Sequence, residues 1–278
     1  MVRRTLAASF ALSLMTTTAF AGDQALQPAW LAEGFSSPEG VAKAPDGALF
    51  ISNVGAGENE PDGDGFVSRV STAGEILDLK FIEGLNAPKG MAVHDGTLYV
   101  ADIDIVRIFD AATGEARGGV PIEGARFLND VTVWQDDVFV SDSGTGRIWR
   151  FTGTGIDLWR EGEELDGVNG LLGAGDKMFV STMTSGSLFE ATAAGGWRTI
   201  ATGMANADGI GVIEDKHGGF LVSSWPGKIH LVTAKGAVTT LLDTTAATIL
   251  QNDLTIISGL IVVPNWEPGT VTAWRLKK

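Results

Sequence analysis

A short pattern, a bulky apolar residue set among aliphatic ones and followed by a small and then a polar residue, recurs along the chain. Its copies are ALFISN (48–53), TLYVAD (97–102), DVFVSD (137–142), KMFVST (177–182), GFLVSS (219–224) and GLIVVPN (259–265). They lie roughly 40 residues apart, a period that belongs to repeat architectures. Each is preceded by a shorter apolar segment such as GMAV or DVTVW, and followed by a third such as RIWRF (147–151) or KIHLV (228–232) and a fourth such as ILDLKFI or TTLLD. Four strands per repeat of about 40 residues make a propeller blade, whereas a helical solenoid would show a period near 3.6. The expected fold is therefore all-β, a six-bladed β-propeller, and the 37 glycines suit the tight turns it needs.

The two ends of the repeat series explain each other. After TVTAWRL (270–276) the chain stops, which leaves the last repeat with only three strands. The segment WLAEGFSSPEG (30–40) matches the junctions KFIEGLNAPKG (80–90) and TIATGMANADG (199–209), yet no earlier blade stands before it. An N-terminal strand that completes the last blade would join the chain ends and remove two free sheet edges.

Arg3 and Arg4, the apolar run from Leu6 to Met15 and Ala19-Phe20-Ala21 form a secretory leader pattern, so residues 1–21 are expected to be a signal peptide and 22–278 a single propeller domain. The run is too short to span a membrane. The expected location is periplasmic or secreted. With no cysteine, stability has to come from a core rather than disulfides. The formal charge is −14, from 34 acidic and 20 basic side chains, and cleavage after Ala21 would remove two arginines and no acid. Such a chain is a poor partner for nucleic acid or anionic lipid, both of which need a basic surface. A small-molecule substrate and a monomer, with no membrane contact after cleavage, are the expectations.

In a propeller every junction from an outer strand into the next inner strand lies on one face, so the residue just before each inner strand looks into the central channel. Those residues are Glu39, Lys89, Asn129, Asn169, Asp208 and, in the longer last junction, Gln251 or Asn252. Two carboxylates and two carboxamides converging there form a hard-oxygen set that favours calcium over zinc or copper. The histidines, His94, His217 and His230, have no ligand spacing. A wet polar channel that holds only water is the other reading of the same ring.

Glu39 of SPEG, Asn129 of FLND, Asn169 of VNG and Asp208 of ADG together resemble the ring of the gluconolactonase, regucalcin and senescence-marker family of six-bladed propellers, and more distantly that of paraoxonase and diisopropylfluorophosphatase. The resemblance spans essentially the whole chain after the leader. It implies that these four residues hold a catalytic calcium, or another divalent cation, and that the protein hydrolyses a lactone or small ester. It also offers Asp208 a second role beside the metal, to orient or deprotonate water or to attack directly. The rival expectation is a non-catalytic propeller that binds a protein, peptide or sugar. One departure stands out: the family's arginine lies two residues before the blade-three asparagine, whereas Arg126 lies three before Asn129, and a one-residue shift in an extended segment reverses a side chain.

Lys89 and Arg126 are candidates for an anionic substrate group, and Trp225 and Trp266, with Met183, for the walls of the mouth. Trp134, Trp149 and Trp159 read as packing between blades. Asp102 and Asp142, at second-strand ends, read as turn caps. The longest loop, 53–65, carries Glu58, Glu60, Asp62 and Asp64 and reads as a solvated acidic loop that could act as a lid.

Overall fold

The computed structural model describes residues 26–57, 59–152, 155–214 and 218–277; the expected leader, 1–21, lies outside them. These residues form six antiparallel sheets. Blade one consists of Pro38–Lys43, Leu49–Asn53, Gly65–Val70 and Ile76–Leu85, in order from the axis outward, and blades two to five repeat this plan from Pro88, Leu128, Val168 and Ala207. The second strands of the first five blades, Leu49–Asn53, Thr97–Asp102, Asp137–Asp142, Lys177–Thr182 and Phe220–Ser224, coincide with the repeated pattern.

Blade six closes the ring as the sequence implies. Leu26–Glu33 runs antiparallel to Thr270–Leu276, with Leu26 opposite Leu276 and Glu33 opposite Thr270. Trp30 then reaches into blade one, where its Nε1–H donates to the Thr72 carbonyl oxygen at 2.9 Å. The innermost strand of this blade is broken into Leu250–Gln251 and Thr255–Ile257, both paired with Leu260–Glu267.

The core is six apolar clusters, each wedged between neighbouring blades. Phe50, Leu85, Leu98 and Val100 fill the gap between blades one and two, and Leu26, Leu221, Ile261 and Trp274 the gap between five and six. A buried Leu or Phe contributes about 1.5–3 kcal/mol, so this packing takes the place of the missing disulfides. Trp134 and Trp159 meet edge to face at 6.1 Å in the cluster between blades three and four, and Trp149 packs against that between two and three. All three tryptophans are thus packing residues.

Candidate functional site

The start of each inner strand carries the same irregularity. In blade one Pro38 pairs with Asn53, but the next pair is Val41 with Ile51, so the inner strand has one residue more than its partner. The same slip separates Pro88 from Met91, Leu128 from Val131, Val168 from Leu171 and Ala207 from Ile210. A β-bulge takes residues out of the ladder and re-aims their side chains. The bulged pairs are Glu39-Gly40, Lys89-Gly90, Asn129-Asp130, Asn169-Gly170 and Asp208-Gly209. In blade six Gln251 pairs with Asn265 and Thr255 with Val262, which puts Asn252-Asp253 in the matching place. Of the two residues the sequence offers for blade six, Asn252 therefore holds the ring position and Gln251 lies in the ladder.

Serines in the repeated pattern fix these bulges. The N–H groups of Gly40, Asp130, Gly170 and Gly209 donate to the hydroxyls of Ser52, Ser141, Ser181 and Ser223 at 2.7–2.9 Å. Ser141 in turn donates to the Asn169 carbonyl oxygen at 2.6 Å, and Ser181 to that of Asp208, so each ties its own bulge to the next blade. The axis is correspondingly crowded: a Cβ on Gly40 would fall 2.7 Å from the Lys89 carbonyl oxygen. The junctions are held from the strand ends. Asp102 accepts the N–H groups of Asn86 and Ala87, and Asp142 those of Arg126, Phe127 and Gly144, which makes both caps.

The ring side chains are buried, with exposures of 4% for Glu39, 4% for Lys89, 5% for Asn129, 3% for Asn169 and 2% for Asp208. Among the described residues none of these side chains makes a hydrogen bond or ion pair. Their polar atoms are not among the enclosed, unpartnered ones of the described residues, so these oxygens open onto the channel, where water or a cation can meet them. Burial pushes the Glu39 carboxyl up to about 8, against the pull of Lys89 and with added repulsion from Asp208 and Asp130. Burial, then Asp130, pushes Asp208 up to about 7, again opposed by Lys89. Glu39 thus feels Lys89, Asp208 and Asp130, and Asp208 feels Asp130 and Lys89, across one shared space.

Two carboxylates that sequence reasoning passed over lie in the same space. Asp130 and Asp253 are the second residues of their bulges, where the other four blades have glycine. Asp130 accepts the N–H groups of Leu171 and Val131, both at 2.7 Å, and Asp253 that of Leu254 at 2.6 Å. Both keep some solvent contact, yet desolvation is the main cause that pushes Asp130 up to about 7 and Asp253 well above the usual range. Residues of both bulge positions thus face the channel.

The donor set suits a hard cation. Glu39, Asn129, Asn169 and Asp208 offer only oxygen for ligation, and the carboxylates carry the unfavourable burial that a divalent ion would relieve. Among the described residues no three His, Cys, Asp or Glu side chains stand close enough to hold a metal by themselves, so the asparagine oxygens would be needed as well.

At the mouth, Arg126 and Phe127 have different surroundings. Arg126 is exposed, while Phe127 packs under the Lys89 ammonium, with Nζ 4.7 Å from its ring centroid. The Lys89 Nζ also lies 5.8 Å from the ring of Trp266, which meets Trp225 edge to face at 6.2 Å. Lys89, Trp225 and Trp266 are thereby brought together, and Arg126 is not part of that group. Met183, in the blade-four loop, is half-buried. In the loop 53–65, Asp64 accepts the Ala56 N–H at 2.9 Å and Asp62 that of Asp64 at 3.2 Å, so these exposed acids brace their own turns; Glu58 lies outside the described residues.

No family model matches the chain, and no curated protein matches it. Solved structures do. A gluconolactonase from Xanthomonas campestris superposes with a TM-score of 0.67 at 16% identity, over 92% of this chain and 90% of that one. A streptogramin B lyase gives 0.66 at 12%, over 91% and 98%. A catalytically inactive virginiamycin B lyase from Staphylococcus aureus, solved with quinupristin, gives 0.63 at 13%, over 91% and 99%. At such identities the likeness is one of fold, and it agrees with the strand order: the chain is a six-bladed β-propeller, closed by its N-terminal strand around a polar ring.

Proposed function

We propose that this protein is a calcium-dependent hydrolase of a lactone or small ester. One observation carries the reading: Glu39, Asn129, Asn169 and Asp208 are buried, oxygen-bearing and without hydrogen-bond partners among the described residues, at matching positions in four blades. A gluconolactonase among the structural neighbours agrees with a hydrolytic use of this fold.

Glu39, Asn129, Asn169 and Asp208 would hold the cation. When bound, it supplies Lewis acidity toward a carbonyl oxygen and its developing negative charge. Asp208 has the second task of orienting or deprotonating the water. Beside a bound cation its carboxyl would stay ionised, and so free to accept a proton from that water. Asn129 and Asn169 add neutral oxygens, so the ring binds a cation without gathering further charge. The leader-like segment 1–21 makes an exported protein acting on a small molecule the natural setting.

The test is a hydrolysis panel of sugar lactones, aliphatic lactones and aryl esters, run with calcium and with EDTA, for the native protein and Glu39→Gln. Activity that needs calcium and drops at least about a hundredfold in Glu39→Gln is expected, the scale seen when a charge-stabilising group is lost. Equal hydrolysis by both proteins, or indifference to EDTA, would overturn the reading.

A further inference from the structure

Lys89 is a charged side chain with nowhere to discharge. It is buried, and it has no place among the ion pairs of the described residues. Its ammonium lies over the faces of Phe127 and Trp266. A cation over an aromatic face gains about 0.5–2 kcal/mol, less than a charge-assisted hydrogen bond to an anion would add to it. Glu39 and Asp208 sense the ammonium, yet neither is paired with it. Once those two carboxylates hold a divalent cation, they no longer offset Lys89 either. Asp130 and Asp253 bond main-chain N–H groups and form no ion pair with Lys89, so its ammonium stands at the aromatic wall without a bonded anion.

We propose that Lys89 anchors a carboxylate of the substrate, so that the site takes lactones or esters bearing a free acid group beside a flat apolar body. That the reacting bond is a lactone or ester rests on the hydrolase function proposed for the ring; the recognition of a carboxylate does not. A carboxylate fits better than a phosphate, because its single negative charge matches the single ammonium. A phosphate ester brings up to two negative charges into a space already shared by Glu39, Asp130, Asp208 and Asp253. The edge-to-face pair Trp225 and Trp266 supplies a wall suited to a flat group.

Two readouts test this. In the first, thermal unfolding in calcium is followed with phenylacetate, phenylacetamide or phenyl phosphate added. Phenylacetate at about ten times its Kd should raise the midpoint by roughly 3 °C, and phenylacetamide and phenyl phosphate should do little. The phenylacetate shift should vanish in Lys89→Met and persist in Lys89→Arg, which keeps the charge. In the second, the ratio of kcat/KM for an aryl ester with a free carboxylate to that for its neutral amide should fall about tenfold or more in Lys89→Met, mainly through KM. A phenylacetate shift that survives in Lys89→Met would place the anion on the metal and overturn the proposal, as would an unchanged ratio or an equal response to phenyl phosphate. Loss of calcium-dependent hydrolysis across the whole panel, with the Lys89-dependent phenylacetate shift retained, would remove the hydrolase reading and leave the carboxylate site standing.

Discussion

The Ser181 hydroxyl in blade four donates a hydrogen bond to the main-chain carbonyl oxygen of Asp208 in blade five. The same hydroxyl accepts the Gly170 N–H at 2.9 Å, so one side chain sets the bulge of its own blade and the place of a candidate ligand in the next. Ser141 relates Asp130 to Asn169 in the same way. Ring geometry is therefore carried from blade to blade through second-strand serines.

Replacing Ser181 with alanine should leave the Gly170 N–H and the Asp208 carbonyl oxygen unsatisfied in a buried setting. A cost of about 1–3 kcal/mol follows, or a fall in midpoint of roughly 2–4 °C per kcal/mol for a domain of this size. Because Asp208 loses its support, the gain in midpoint on adding calcium should also shrink. Differential scanning calorimetry with EDTA and with calcium measures both; an unchanged calcium response would mean that Asp208 is placed by other contacts.

Stability should fall as pH rises without metal, and the stabilisation by calcium should grow over the same range. Burial raises the Glu39 carboxyl to about 8 and that of Asp208 to about 7, so the folded metal-free protein holds protons that the unfolded chain releases near pH 4. Folded pKa values above the unfolded ones stabilise at low pH, and that contribution is lost as pH rises through 7 to 8. In EDTA the midpoint should thus fall between pH 5 and pH 8.5. Calcium competes with those protons, so its stabilisation should grow over the same range. Melting curves at half-unit steps of pH decide this, and a calcium increment that is flat with pH would count against carboxylate ligation.

The fold was largely legible because the repeat writes it six times, and the closing strand was legible because its junction motif had no blade of its own to serve. Glu39, Lys89, Asn129, Asn169 and Asp208 could be placed because each precedes an inner strand. Asp130 and Asp253 were not, because alternation in a regular strand sends neighbours to opposite faces, whereas a bulge lets both residues of a pair approach the channel. Their signal was present: aspartate stands there in blades three and six, glycine in the other four. The second-strand serine was visible as a repeated letter, but its bond to the bulge needs the register of two strands. The break after Gln251 is what sets Asn252 in the ring.

Asp142 shows how a buried carboxylate holds a junction without taking part in chemistry. It is fully buried and accepts main-chain N–H groups from Arg126, Phe127 and Gly144. Asp142→Ala would strand those donors and loosen the segment that carries Phe127 and leads to Asn129. A loss of about 3 kcal/mol or more is expected from several unsatisfied groups at once, with Asp142→Asn milder because its carbonyl oxygen still accepts. Urea unfolding measures the difference, and equal stability of the two variants would show that the cap contributes through charge rather than through its acceptors.

Removal of the closing strand should be far more damaging than its position at the edge suggests. Without Leu26–Glu33, the strand Thr270–Leu276 would present an unpaired edge, Leu26 would leave the cluster between blades five and six, and Trp30 would no longer tie blade six to blade one. An open edge of this length invites pairing with another copy. A chain starting at Gly34 should therefore appear in light scattering as dimers or larger species and melt at least about 10 °C lower. The smaller change Trp30→Phe removes the bond to Thr72, at about 0.5–1.5 kcal/mol, together with part of the ring that packs against the cluster between blades six and one. A monomeric, fully stable truncated chain would show that the interblade clusters alone hold the ring shut.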